Sequence, residues 1–145
     1  MNNQECMEVR KWVEVAVSLF ENAGKEAVLA EIADPQGRFV LNDRYIFALT
    51  PIGTMLAHPV ESELTGKHLM GLKDSEGKAF IRTIVSTAKT KGYGFTDYMW
   101  RSPGSHSELH KTVFFERVDG MILCSGFYTS NEDYLDSLLK WCGPY

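Results

Sequence analysis

The chain has 145 residues, 44% of them apolar, which suits a single folded domain with a sizeable core. Its net charge is −4, its pI is near 5.5 and its cations are scattered, so no basic field exists to attract nucleic acid or an anionic membrane. No apolar run approaches the roughly 20 residues that cross a bilayer, and the polar start Met1-Asn2-Asn3-Gln4-Glu5 lacks the basic and apolar regions of a signal peptide.

In chain order, residues 6–23 place Cys6, Val9, Val13, Ala16, Val17 and Phe20 on one helical face, with Glu8, Lys11, Glu14 and Glu21 opposite. Gly24 stops this N-terminal helix, and a shorter one runs from Lys25 to Ala33 before the turn Asp34-Pro35-Gln36-Gly37. Tyr45 to Thr50 is almost wholly apolar, as expected of a strand covered on both faces. Pro51-Ile52-Gly53 turns the chain, Thr54 to His58 returns as a hairpin partner, and Pro59 closes that strand. Residues 60–73 read as irregular. Phe80, Ile81, Ile84, Val85 and Ala88 predict a connecting helix over Ser75 to Lys91, opened by Asp74 and Glu76 and stopped at Gly92.

Three strands follow, Phe95–Trp100, Lys111–Val118 and Met121–Thr129, the last two joined by Asp119-Gly120, a strong two-residue hairpin signal. Residues 131–142 read as a C-terminal helix, periodic from Asn131 to Trp141. The fold class is α+β: a five-stranded antiparallel sheet with helices packed against it.

The cysteines Cys6, Cys124 and Cys142 are odd in number and lack metal or redox spacing. Read as unpaired, they point to a reducing compartment, and a cytoplasmic location is expected. There is no serine elbow, phosphate loop, zinc spacing or haem attachment motif, so no enzyme, metal or cofactor is expected.

The Asp119-Gly120 turn sets a register. Lys111 falls opposite Tyr128, Val113 opposite Gly126 and Phe115 opposite Cys124, all on one face. A lysine and a phenol then flank a residue with no side chain. An ammonium, a hydroxyl and free volume make an anion site; the other reading is a strand-edge lysine in solvent beside a bulge glycine. His58 ends its strand either as a satisfied buried histidine or as a ligand contact. Tyr98 and Trp100 share one strand face, in the core or lining a pocket.

Several stretches resemble the single Cache domains of the type-2 subgroup, known from bacterial chemoreceptors and sensor kinases. They include Arg44-Tyr45-Ile46-Phe47-Ala48-Leu49, Gly53-Thr54-Met55-Leu56-Ala57-His58-Pro59, Lys91-Gly92-Tyr93-Gly94-Phe95-Thr96-Asp97-Tyr98-Met99-Trp100 and Ser125-Gly126-Phe127-Tyr128. The resemblance covers a core of about residues 25–130 within a domain of 1–145. It implies a PAS-like sheet with a ligand pocket on one face, occupied by a short carboxylate such as acetate, propionate or pyruvate. It also implies that Tyr45, Phe47, His58, Tyr98, Trp100, Lys111 and Tyr128 line the pocket, beside the Gly126 of the hairpin reading, with Lys111 as the carboxylate partner. Members of that family usually sit outside the cytoplasm between two transmembrane helices, of which this chain shows neither.

The expected function is small-molecule sensing for signal transduction. The competing readings are an interaction or dimerisation module with a vestigial pocket, and a small enzyme using His58 as base. The apolar face of residues 6–23 either pairs with a second copy in a homodimer or packs on its own sheet. A separate signalling protein is the other outlet expected for the signal.

Overall fold

The computed structural model describes residues 2–130 and Asp133. In order these form α1 (Asn2–Ala23), α2 (Lys25–Ala33), β1 (Val40–Leu41), β2 (Arg44–Leu49), β3 (Met55–Ala57), a 3-10 turn (Ser62–Leu64), α3 (Phe80–Lys91), β4 (Tyr93–Arg101), β5 (Glu108–Val118) and β6 (Met121–Thr129). The helix expected over 131–142 lies outside the described residues, Asp133 apart.

The strands make one antiparallel sheet in the order β1-β2-β6-β5-β4, with β3 also on β2. The five expected strands are all present, and the sixth, β1, is a two-residue pairing against Arg44 and Tyr45. Asp119 takes φ 54, the left-handed conformation that a tight hairpin demands, and Val118 pairs with Met121. The whole expected register follows, including Lys111 with Tyr128 and Val113 with Gly126.

Both faces of the sheet are covered, which accounts for the unbroken apolar run of β2. Tyr45, Phe47 and Leu49 enter one core with α3, while Ile46 and Ala48 enter another with α1 and α2. The apolar face of α1 belongs to that second core: Val9, Val13 and Ala16 are fully buried on the sheet. Each buried valine contributes roughly 1.5–3 kcal/mol. Of the two roles expected for this face, packing on its own sheet is the one its buried residues take. Met7, Lys11, Glu14 and Val15 remain exposed along the helix.

Two further expectations change. The connecting helix starts at Phe80, not Ser75, because Asp74 folds residues 74–78 into a turn. Its Oδ1 accepts the N–H groups of Glu76 and Lys78, and Gly77 takes φ 85. The other carboxylate oxygen accepts Met99 N–H at 2.9 Å and ties this turn to β4. The reading of three unpaired cysteines also fails: Cys6 is disulfide-bonded, Cys124 is free and buried, and Cys142 lies outside the described residues. A disulfide persists in an oxidising compartment, so the lean toward a reducing one is withdrawn.

No helix among the described residues is long and apolar enough to cross a membrane.

Candidate functional site

Sheet pairing builds the site from strands far apart in sequence. Tyr98 of β4 stands opposite Lys111 of β5, which stands opposite Tyr128 of β6, so two phenols flank the lysine in one cross-strand row. Phe47 of β2 pairs with Cys124 and brings Tyr45 up beside the same row. Lys111 is 1% exposed. Its ammonium sits over four rings, 4.3 Å from the centroid of Tyr45, 5.0 Å from Phe47, 5.4 Å from Tyr128 and 5.8 Å from Tyr98. Such ring faces attract a cation and offset part of its desolvation.

The hydrogen bonds around this cation run in one direction. Lys111 Nζ donates to Tyr45 Oη at 2.8 Å, and Tyr128 Oη donates to the carbonyl of Arg101 at 3.0 Å. Each phenol has one proton, so the 3.1 Å contact between the two hydroxyls is Tyr45 donating to Tyr128. An ammonium has three N–H groups, and among the described residues one hydrogen bond engages them. Among the described residues no carboxylate lies within ion-pair distance of it. Burial lowers the Lys111 pKa from 10.5 to about 7, against an opposing pull from Cys124 and Glu61. Burial also raises Tyr45 and Tyr98 well above the ordinary phenol value, so both stay neutral hydroxyls.

In front of the lysine lies a cavity of about 10 Å³, room for about one water. Phe47, His58, Tyr98, Trp100 and Lys111 line it, five of the eight residues expected at the site. Tyr45 and Tyr128 stand behind the ammonium on the hydroxyl chain rather than on the cavity wall. Gly126 is corrected: it opens no ligand space. A Cβ there would lie 2.8 Å from the Thr112 carbonyl oxygen, 2.8 Å from Val113 Cγ2 and 3.0 Å from Lys111 Cε. The missing side chain makes room for the neighbouring strand and the lysine stem.

His58 follows β3 and is 4% exposed. Its Nδ1 accepts the N–H groups of Val60 at 3.2 Å and Glu61 at 2.9 Å, and its ring lies against Tyr45 and Phe47. Burial, then the charge of Lys111, pushes its pKa down to about 3, so it stays neutral near pH 7.

The sequence reading missed the remaining walls. Phe80 stacks on Tyr98 with ring centroids 3.9 Å apart, and Met55, Leu64, Leu69 and Leu72 complete the lining. Phe80 was visible only as a core position of α3, and the leucines fall in a stretch without periodicity. Glu61 was also missed: its carboxylate accepts from Trp100 Nε1 at 3.1 Å and pairs with Arg101 at 3.0 Å, clasping the segment after β3 onto β4. Two larger hollows, of about 450 and 240 Å³, open near the start of α1 and border Tyr128. Glu5 and Glu8 line the first; Glu5 and Asp43 line the second beside Arg44, which is already paired with Glu8. Among the described residues neither offers an anion a free cation.

Comparison with known proteins gives a consistent result. The family model described as single Cache domain 2 matches residues 1–131. The chain is 30% identical over 77 residues to the sensor histidine kinase MctS of Rhizobium johnstonii; the match covers 53% of this chain and only 16% of that protein. Among solved structures, a periplasmic sensor domain of a chemotaxis protein matches with a TM-score of 0.69 and 25% identity, over 86% of this chain and 90% of that one. A Cache chemosensory domain, solved for the structural basis of its carboxylic acid recognition, matches with a TM-score of 0.68 and 26% identity, over 86% and 88%. A methyl-accepting chemotaxis protein from Vibrio parahaemolyticus shares the fold, with a TM-score of 0.72 at 24% identity over 87% and 93% of the two chains.

Proposed function

Because the chain belongs to the single Cache domain 2 family, we propose that it is a sensor domain that binds a short organic acid of the acetate, propionate or pyruvate type for signal transduction. The observation that carries this reading is the buried ammonium of Lys111, which keeps two N–H groups beyond its bond to Tyr45 and has no carboxylate partner among the described residues. A buried charge is costly unless paired, and a ligand carboxylate supplies the pair. The carboxylic acid recognised by the similar Cache chemosensory domain supports the same ligand class.

The small cavity requires its walls to give way as an acid binds. Leu64, Leu69 and Leu72, like His58, line it from the segment between β3 and α3, outside the α-helices and strands. Affinity is modest by size alone: about four heavy atoms at ~1.5 kcal/mol each cap the gain near 6 kcal/mol, a Kd of tens of micromolar.

The same cavity lends some support to the competing interaction module with a vestigial pocket, since Lys111 already has an aromatic cage of its own. An enzyme using His58 as base has little support, because Nδ1 is occupied by two N–H groups and the ring resists protonation. The cytoplasmic location expected from sequence has no support either. The disulfide at Cys6 and the periplasmic relative favour an oxidising compartment. Output through a second copy or a separate signalling protein belongs to the same proposal; a second copy meeting α1 finds Met7, Lys11 and Val15 exposed.

A thermal-shift screen against short organic acids tests the reading, repeated on Lys111→Ala. Stabilisation of the wild type that vanishes in the variant supports it. An equal response in both removes the lysine from the mechanism, and no response in either favours the interaction module.

A further inference from the structure

The turn after β3 decides which edge of His58 meets the cavity. A ring nitrogen that accepts hydrogen bonds carries no proton, and Nδ1 accepts two, from Val60 and Glu61. The neutral ring therefore holds its proton on Nε2. Protonating Nδ1 instead would aim an N–H at two other N–H groups. Lys111, on the same cavity, opposes a second positive charge, consistent with the depressed pKa of the histidine. His58 lines the cavity with its Nδ1 edge already taken by the turn, so the Nε2–H edge is the one left for a ligand.

The polar groups of the cavity then share one sense. Lys111 donates, His58 donates, and the indole N–H of Trp100 is spent on Glu61, whose carboxylate is turned to Trp100 and Arg101. Among the described lining residues none is a carboxylate or an amide, and the phenol of Tyr98 is the one hydroxyl. From this juxtaposition we infer that His58, locked as the Nε2–H tautomer, makes the pocket selective for acids whose remaining atoms only accept hydrogen bonds or are apolar, and excludes amino acids. The inference rests on the acid-sensor reading and narrows its ligand class.

An α-keto acid places its carboxylate on Lys111 and an acceptor oxygen on His58. A hydroxy acid brings one proton that, among the described lining side chains, Tyr98 alone can accept through a hydroxyl. An amino acid brings an ammonium with three N–H groups, for which the described lining side chains offer the Tyr98 hydroxyl alone, and it faces the ammonium of Lys111. Buried polar groups left unpaired reject a ligand by large factors.

Pyruvate, lactate and alanine share one skeleton and differ only in this respect, so their affinities measured by calorimetry at pH 7 are the test. Pyruvate is expected to bind about tenfold tighter than lactate and at least about a hundredfold tighter than alanine. Alanine or lactate binding as tightly as pyruvate overturns the inference while leaving an acid sensor in place. In parallel, ¹⁵N chemical shifts of the His58 ring report the tautomer without any ligand; a proton on Nδ1 also overturns it. If the tautomer is Nε2–H but none of the three acids binds, nor acetate or propionate, the acid-sensor reading itself fails and the selectivity with it.

Two variants separate binding from folding. His58→Asn keeps an acceptor near the position of Nδ1 for the turn but is too short to place its amide N–H at the position of Nε2. It is expected to unfold near the wild-type temperature while losing about tenfold in pyruvate affinity. His58→Gln keeps a donor near the position of Nε2 but gives up the turn, and is expected to lose stability instead. Pyruvate affinity unchanged in His58→Asn is the result that counts against the donor role.

Discussion

Replacing Lys111 by methionine keeps most of the side-chain length and deletes the charge, so it measures what the buried ammonium costs. The pKa falls from 10.5 to about 7, and at ~1.4 kcal/mol per pH unit that difference is about 5 kcal/mol, of which about 4 remains at pH 7. Methionine forfeits the bond to Tyr45, about 1 kcal/mol, and the cation–ring attraction, about 1 kcal/mol or more. Tyr45 keeps Tyr128 as a partner, so no hydroxyl is orphaned. The expected net gain near pH 6 is about 2–3 kcal/mol, or roughly 5–10 °C in unfolding temperature for a domain of this size. The folded pKa lies below the unfolded one, so the unfolded chain holds the extra proton between pH 7 and 10.5. Wild-type stability relative to the variant therefore rises across that window, and the gap closes. Thermal unfolding of both proteins at pH 6, 8 and 9.5 reads this directly. A gap that stays constant with pH, or a variant less stable than wild type at pH 6, refutes the account of a desolvated, unpaired cation.

Acid affinity should depend on pH in the opposite sense, because the bound carboxylate needs the charged amine. Calorimetry should show affinity steady below pH 7 and falling about tenfold per pH unit above it, until the complex itself loses the proton. Gly126→Ala forces a Cβ to 2.8 Å from the Thr112 carbonyl, and denaturant unfolding should show a loss of about 1–3 kcal/mol; an unaltered midpoint means the strands are not so close. His58 has a folded pKa of about 3 against 6.5 unfolded, so it holds stability above pH 6.5 that is lost as pH falls toward 3, up to about 5 kcal/mol. Acid unfolding of wild type beside His58→Asn should show that slope only in the wild type.

How far the site was readable differs residue by residue. The alignment of Lys111 with Tyr128 and of Val113 with Gly126 was legible, because a two-residue turn ties both strands together locally. Its meaning was only half legible. Gly126 was expected to leave a void for ligand, whereas its neighbours fill that space, and alternation along a strand cannot report how closely the next strand packs. Helix α3 was placed from its apolar rhythm but opened too early, since Asp74 and Glu76 serve a turn and a helix start equally well until Met99 N–H arrives from β4. The pairing of Cys6 was unreadable from spacing alone.

By itself the chain determined its elements, the hairpin register and the face that carries the lysine, all of which rest on short-range periodicity and turn chemistry. Tertiary structure alone decided that Tyr98 and Phe47 close on that lysine and that the apolar face of α1 is covered by its own sheet. Each of these joins different secondary-structure elements, the Phe47 and α1 contacts across tens of residues. Such contacts are chosen by how the sheet and helices fill space together, and no local pattern in the chain encodes that choice.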